Sequence, residues 1–358
     1  MKKIILIILQ VSSILFIYGQ DKTNISDYIN SFSVKKNFSG TILIQKNSKT
    51  IYKNSFGLAN IKFNEPNKDD TKYKIASITK AFTAVLVLQL YEKGRLDLKK
   101  TIKTYLPNYK GEGGNKITIE ELLHHTSGMV NMDTISSQES ALKNGMPAYQ
   151  LPHTTEQIID KYCSNPLKNK PGKVFDYDNA EYIILGKIIE AIYNKPYEQV
   201  LKEKILKPLK MNDSGMLYQY EIIKNLADTY FFRKDLNELV NDLPVYIENW
   251  YAAGAMYSTA EDLLKFSNGL FNHRLLDKES LKIMLTPGLG DYGCGVWIYH
   301  EKYNNTNYTV IKRPGRIMGA NSVLYHIPDK NITIIILSNS DSVNLDNFVW
   351  EIGTKLIK

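Results

Sequence analysis

Near the start of the polar part of the chain, Ile25, Tyr28, Ile29 and Phe32 recur at helical spacing and predict a short amphipathic helix. The pattern then tightens. Gly40-Thr41-Ile42-Leu43-Ile44 and Thr50-Ile51-Tyr52 read as strands around an Asn47-Ser48 turn, a β-hairpin. A third strand is expected from Tyr73 to Ile75. From Ser77 to about Lys93 a helix is predicted, with Gly94 as its stop. Ala81, Ala84, Val85, Leu88 and Leu90 cover so much of its circumference that it belongs inside the molecule.

Between about Leu106 and Asn249 the pattern is helical and rich in loops. One helix opens on Thr118 with Glu121 three residues on, a capping box. Others run from Tyr182 to Ile192 and from Tyr197 to Ile205. Ser258-Thr259-Ala260-Glu261-Asp262 then caps a helix through Phe266. Strand-like runs return at Tyr292 to Tyr299, Tyr308 to Lys312, Val323 to Ile327 and Ile332 to Leu337, and a final helix runs from Val343 to Ile357. Strands at both ends with helices between predict one sheet built from both termini, an α/β (α+β) fold. Residues 20–105 and 250–358 would form the sheet-bearing lobe, and 106–249 an inserted helical lobe.

Ahead of all this, Lys2-Lys3 precede an apolar run from Ile4 that dominates through Tyr18, and Gly19 meets polar residues. That is the pattern of a secretory signal peptide over 1–19, with the mature chain starting near Gln20. The run falls short of the roughly 20 apolar residues that span a bilayer. Export to the periplasm or beyond, without lasting membrane insertion, is the expectation, and an uncleaved anchor is the alternative.

Charge changes the picture little. Lys and Arg number 45 against 37 Asp and Glu, a formal charge of +8. The basic residues are scattered among acidic ones with no basic block, so nucleic acid is not an expected partner. Cys163 and Cys294 each sit among apolar or aromatic neighbours and are expected as separately buried thiols. No CxxC or HExxH spacing occurs, and His124-His125 cannot place both rings on one helix face, so no metal or other cofactor is expected. A monomer is expected.

The chemistry begins at Ser77-Ile78-Thr79-Lys80. Three residues apart on a helix, a hydroxyl and an amine share a face. The helix N-terminus favours an alkoxide, and burial lowers the amine's proton affinity, so the serine becomes nucleophilic without histidine. Ser33 and Ser140 also have a lysine three residues later, but only Ser77 follows a strand and opens a buried helix. Tyr177-Asp178-Asn179 follows a Pro171-Gly172 turn and leads into a helix. Its phenol can relay a proton, and Asn179 can hold Lys80 and a substrate amide. Tyr-x-Asn recurs at Tyr28, Tyr52 and Tyr303, so setting again selects the candidate.

Ser77-x-x-Lys80, then Tyr177-x-Asn179 about 100 residues later, then a glycine-bearing strand, resemble the class C β-lactamase and penicillin-binding-protein superfamily. His125-Thr126-Ser127-Gly128, Ala253-Gly254-Ala255-Met256 and Tyr292-Gly293-Cys294-Gly295-Val296-Trp297 look like further landmarks of that group. The resemblance implies a mainly antiparallel sheet flanked by helices, an all-helical lobe, and an acyl-enzyme on Ser77 served by Lys80 and Tyr177. A small molecule or cell-wall peptide would be the substrate: a β-lactam, a peptide ending in D-alanine, or a small ester. The His125 loop reads as structural, a turn whose Thr, Ser and Gly satisfy its own backbone.

The third motif departs from the pattern. Its best match is Arg313-Pro314-Gly315, followed by Arg316. Arg313 keeps a cation that can orient a carboxylate, Gly315 lets substrate approach the backbone, and the N–H groups of Arg316 and Ser77 would form the oxyanion hole. Pro314 replaces a hydroxyl and fits only an edge strand. The altered motif supports a rival expectation, a non-catalytic cell-envelope binding module with the same fold. Such a module has no need of Ser77, Lys80, Tyr177 and Asn179 together.

Overall fold

A computed structural model describes residues 25–357 except 134, 136 and 304. The expected signal segment, 1–19, lies outside the described residues. Helix α1 covers 25–35. Strands β1 (Gly40–Lys46) and β2 (Lys49–Phe56) form the hairpin. Its turn residues Asn47 and Ser48 have φ of 50° and 62°, the left-handed pair that suits the twist of the flanking strands. After a single 3-10 turn at Ala76–Ile78 comes α2 (Thr79–Glu92).

The middle of the chain carries α3 (Ile119–Leu123), opened by the Thr118–Glu121 capping box, and α4 (Asn179–Tyr193). It is not wholly helical. Strands β3 (Tyr230–Arg233) and β4 (Glu238–Asn241) pair as a hairpin, because the aromatic run Tyr230-Phe231-Phe232 suits a pleated surface better than a helix. The chain closes with α5 (Ala260–Phe271), β5 (Trp297–Tyr303), β6 (Thr306–Ile317), β7 (Ala320–Ile327), β8 (Ile332–Ser338) and α6 (Leu345–Ile357).

The main sheet is antiparallel in the order β5-β6-β7-β8-β1-β2. Its two chain ends meet where β1 lies along β8, Gly40 opposite Ser338. Every residue of β8 is buried, because helices cover both faces of the sheet. Ile332, Ile334 and Ile336 join Ile29 of α1 and Phe348 and Ile352 of α6 on one face. Ile335 and Leu337 face the other way, into a core shared with α2, α5 and the helices of the middle segment. Within that core α2 is buried from Thr79 through Leu90, so it runs as a central rod.

The expected third strand is Tyr73–Lys74, and it pairs outside the main sheet. It joins Met256–Ser258, which in turn pairs with Gly215–Met216. This small sheet ties the approach to Ser77 to the chain returning from the middle segment. The strand expected from Tyr292 starts only at Trp297. Gly295, with φ of 80°, crosses the first turn of α2 so closely that a Cβ would lie 2.8 Å from the carbonyl oxygen of Lys80. Cys163 and Cys294 are both buried and unpaired.

Candidate active site

Ser77 sits in the 3-10 turn, preceded by Ala76 at φ 47°, a conformation that L residues adopt only under constraint. Three successive carbonyls at the start of the turn are held. Ser322 Oγ donates to the Ile75 oxygen at 3.0 Å, Thr79 Oγ1 to the Ala76 oxygen at 2.7 Å, and Arg313 Nε to the Ser77 oxygen at 2.6 Å. Ser77 itself is half-buried, at the surface of an otherwise buried element.

Lys80, one turn on, is fully buried. Its Nζ donates to Ser77 Oγ at 3.2 Å, Asn179 Oδ1 at 2.6 Å and the Ala253 carbonyl at 3.0 Å. Burial pulls its pKa below the ordinary lysine range; Tyr177 opposes that shift and the Arg313 charge adds to it. The Tyr177 phenol lies against the same group, with its ring centroid 4.7 Å from Lys80 Nζ. Burial alone would raise the Tyr177 pKa. The charges of Arg313 and Lys80, with hydrogen bonding to Lys80 and Ser77, outweigh it and bring the phenol down to about 8. Hydroxyl, amine and phenol therefore converge.

Asn179 opens α4, which Asp178 caps by accepting from the Ala180 N–H at 3.0 Å. The Asn179 amide bridges two groups: Oδ1 accepts from Lys80, and Nδ2 donates to Asp133 Oδ2 at 2.7 Å. Asp133 fixes which way that amide faces.

Arg313 is used differently from the expected carboxylate anchor. The side chain is 1% exposed, and its three nitrogens go to the chain's own groups. Nε takes the Ser77 carbonyl, Nη1 the Tyr292 hydroxyl at 3.0 Å, and Nη2 the Tyr177 hydroxyl at 2.6 Å. Its guanidinium also stands over the Trp297 ring, 5.2 Å from the centroid. The reason is depth: β6 runs directly under the serine turn, so a long side chain at this position reaches the phenol. A substrate carboxylate would have to displace that bond.

Pro314 lies where β6 is paired on one side only. Its partner on β7 is Val323, whereas β5 ends its pairing at Trp297 opposite Lys312. Gly315 is required by the chain itself. A Cβ there would come 2.2 Å from the Ile75 oxygen and 3.1 Å from the Ile78 nitrogen, so the close approach is made by the serine turn. The Arg316 side chain is exposed and points to Asp346, at 2.6 Å, away from the lysine–tyrosine pair.

The His125 loop does more than satisfy its own backbone. Its carbonyls hold the segment that carries Tyr177: His125 accepts from the Asp176 N–H at 2.9 Å, Thr126 from Gly172 at 2.8 Å. The His125 ring packs 4.3 Å from that of Tyr177. Its Nδ1 accepts from the Asp178 N–H at 3.2 Å and is hydrogen-bonded to Glu181, whose other oxygen accepts from the Ser127 N–H at 3.1 Å. Burial holds the Glu181 carboxyl well above its ordinary pKa and the His125 imidazole well below its own. Both shifts favour the neutral pair over an ion pair.

Sequence reasoning missed Asp133, Glu181 and Ser322, and named Tyr292 only within a landmark segment, without its contact to Arg313. Glu181 carried a signal, an acid inside the apolar run from Ala180 to Leu185. Ser322 and Asp133 carried none, because each acts through a contact distant in sequence.

Comparison with known proteins agrees with this geometry. The family model Beta-lactamase matches residues 27–353, and the chain belongs to that family. PbpX of Bacillus subtilis (strain 168) is 31% identical over 282 residues, which cover 78% of this chain and 66% of PbpX, so the match spans just under two thirds of that relative. The penicillin binding protein from Bacillus halodurans superposes with a TM-score of 0.76 at 26% identity, covering 90% of this chain and 98% of the other. The D-amino acid amidase of Ochrobactrum anthropi SV3 shares the fold, with a TM-score of 0.76 at 23% identity over 94% of this chain and 97% of the amidase. Membership of this family supports a serine-hydrolase type of function.

Proposed function

We propose that the protein is an exported serine hydrolase that cleaves an amide or ester through an acyl-enzyme on Ser77. The observation that carries this reading is the buried Lys80, which spends one proton on Ser77 Oγ and lies against a phenol brought down to about 8. At neutral pH such a pair is poised to take a proton from a hydroxyl that neither an ordinary lysine nor an ordinary tyrosine would deprotonate.

In the reaction, Ser77 Oγ attacks the carbonyl carbon while its proton passes to the Lys80–Tyr177 pair. The tetrahedral oxyanion is received by the N–H groups of Ser77 and Arg316. The C–N or C–O bond then breaks as the pair returns the proton to the leaving amine or alkoxide. Water repeats the sequence on the ester of Ser77, which releases a carboxylic acid and restores the serine hydroxyl. Arg313 keeps the phenol acidic throughout. With that cation committed internally and no hydroxyl at Pro314, recognition of a substrate carboxylate is weakened, which favours a small ester or amide over a β-lactam or a D-alanine-terminated peptide.

The test is hydrolysis of a chromogenic panel, nitrocefin, a D-Ala-D-Ala peptide and p-nitrophenyl acetate, by the mature chain. Turnover of at least one compound that disappears in Ser77→Ala supports the proposal. Turnover that survives Ser77→Ala, or none from folded protein, refutes it.

A further inference from the structure

One hydrogen bond from Asn179, through Asp133, lies a cavity of about 530 Å³, large enough for a drug-sized group. Its walls are mainly apolar: Met132, Met146, Tyr149, Trp250, Ile317 and Met318 line it. Tyr149 and Trp250 stack with their rings 3.6 Å apart and form a flat, rigid wall. The thioethers adapt to irregular or aromatic shapes. Among the described residues around it, Asp133 is the one that carries a carboxylate, and Arg316 the one cation.

Asp133 stands at the side of the cavity next to the chemistry. Its Oδ2 accepts from Asn179 Nδ2, and Asn179 Oδ1 in turn accepts from Lys80. The other oxygen accepts from the Tyr149 hydroxyl at 2.5 Å. Both donors are neutral. An ionised carboxylate offers about four acceptor sites, so the Asp133 charge is oriented but neither neutralised nor saturated. Burial raises the pKa of the Asp133 carboxyl, while the Tyr149 hydroxyl, the Lys80 charge and Asn179 oppose that shift. Arg316 does not pair with it, since its guanidinium is engaged with Asp346. A cation seated on Asp133 from the cavity side would favour the ionised carboxylate further.

We infer that this cavity selects acyl groups that carry both a large apolar side chain and a protonated amine, so that the substrates are amides or esters of apolar amino acids with a free amino group. The side chain would lie against the Tyr149–Trp250 wall and the ammonium on Asp133, with the scissile carbonyl over Ser77. An amine on Asp133 supplies the carboxylate with a counter-charge from the substrate side. This inference rests on the acyl-enzyme reading of Ser77.

The experiment compares kcat/KM for phenylalanine p-nitrophenyl ester, both enantiomers, with the N-acetyl derivatives, and uses p-nitrophenyl acetate as the reference. The expected result is a preference of about tenfold or more for the free amine with at least one enantiomer, since a buried carboxylate rejects a partner that cannot pair with it. That preference should fade as pH rises through the ammonium pKa of the substrate, and Asp133→Asn should bring the ratio close to one. Equal rates, or a preference for the acetylated esters, with p-nitrophenyl acetate still hydrolysed, overturn the inference and leave the acyl-enzyme reading standing. No hydrolysis of any ester, the acetate included, overturns both.

Discussion

Arg313 Nη2 donates to the hydroxyl of Tyr177 at 2.6 Å, and the guanidinium that does so is buried under the serine turn. A fixed cation in contact with a phenol favours the phenolate, and a low-dielectric site magnifies the effect. The same charge disfavours protonated Lys80. Both effects lower the pH at which the pair can accept a proton.

The pH–rate profile for an uncharged ester should therefore show an acid limb near 8, with activity rising as the phenol ionises. Removing the cation in Arg313→Met should move that limb toward the ordinary tyrosine value of about 10, and Arg313→Lys should move it less. Tyr177→Phe should lower kcat about 100-fold or more and abolish the limb. A limb that stays in place in Arg313→Met would contradict this role.

Gly315→Ala places a methyl group against the rigid backbone at Ile75 and Ile78, so one of the two segments has to move. The turn carrying Ser77 is the constrained partner. Since a displacement of about 1 Å costs roughly 100-fold in rate, kcat should fall by about that factor. Pro314→Ser, on the one-sided stretch of the same strand, should fold normally and keep activity toward neutral esters. Kinetics on both variants, with circular dichroism to check folding, decides the matter.

The His125–Glu181 pair supports the tyrosine segment from below. Glu181→Gln keeps a neutral donor for His125 Nδ1 and an acceptor for the Ser127 N–H, so stability should change by less than about 1 kcal/mol. Glu181→Ala leaves both buried partners unpaired and should cost about 2–4 kcal/mol, with loss of activity as the Tyr177 segment loosens. Urea unfolding of the two variants measures the difference. Equal and large losses would show that Glu181 is needed as an anion.

Local signals were legible in the sequence where the physics is local. The turn at Asn47-Ser48, the cap at Thr118, the buried rod from Thr79 to Leu90 and the pairing of Ser77 with Lys80 all depend on residues a few positions apart. The class of fold was legible because strand-like runs cluster at both ends. What was not legible depends on approach across the chain. Arg313 reads in sequence as a cation for a substrate carboxylate, and only its position on β6 beneath Ala76–Ile78 turns it inward to Tyr177. Asp133 meets Asn179 across 46 residues of intervening chain. The third strand pairs outside the main sheet because Met256–Ser258 competes for Tyr73–Lys74, a choice invisible in period-2 pattern.

Intact-mass spectrometry of the folded mature chain after treatment with a serine-directed phosphonate tests the central claim most directly. The expected result is one adduct, mapped to Ser77, that is absent from Ser77→Ala and forms about 100-fold more slowly in Lys80→Ala. Folded protein that remains unlabelled, or an adduct on another serine that persists in Ser77→Ala, would contradict it.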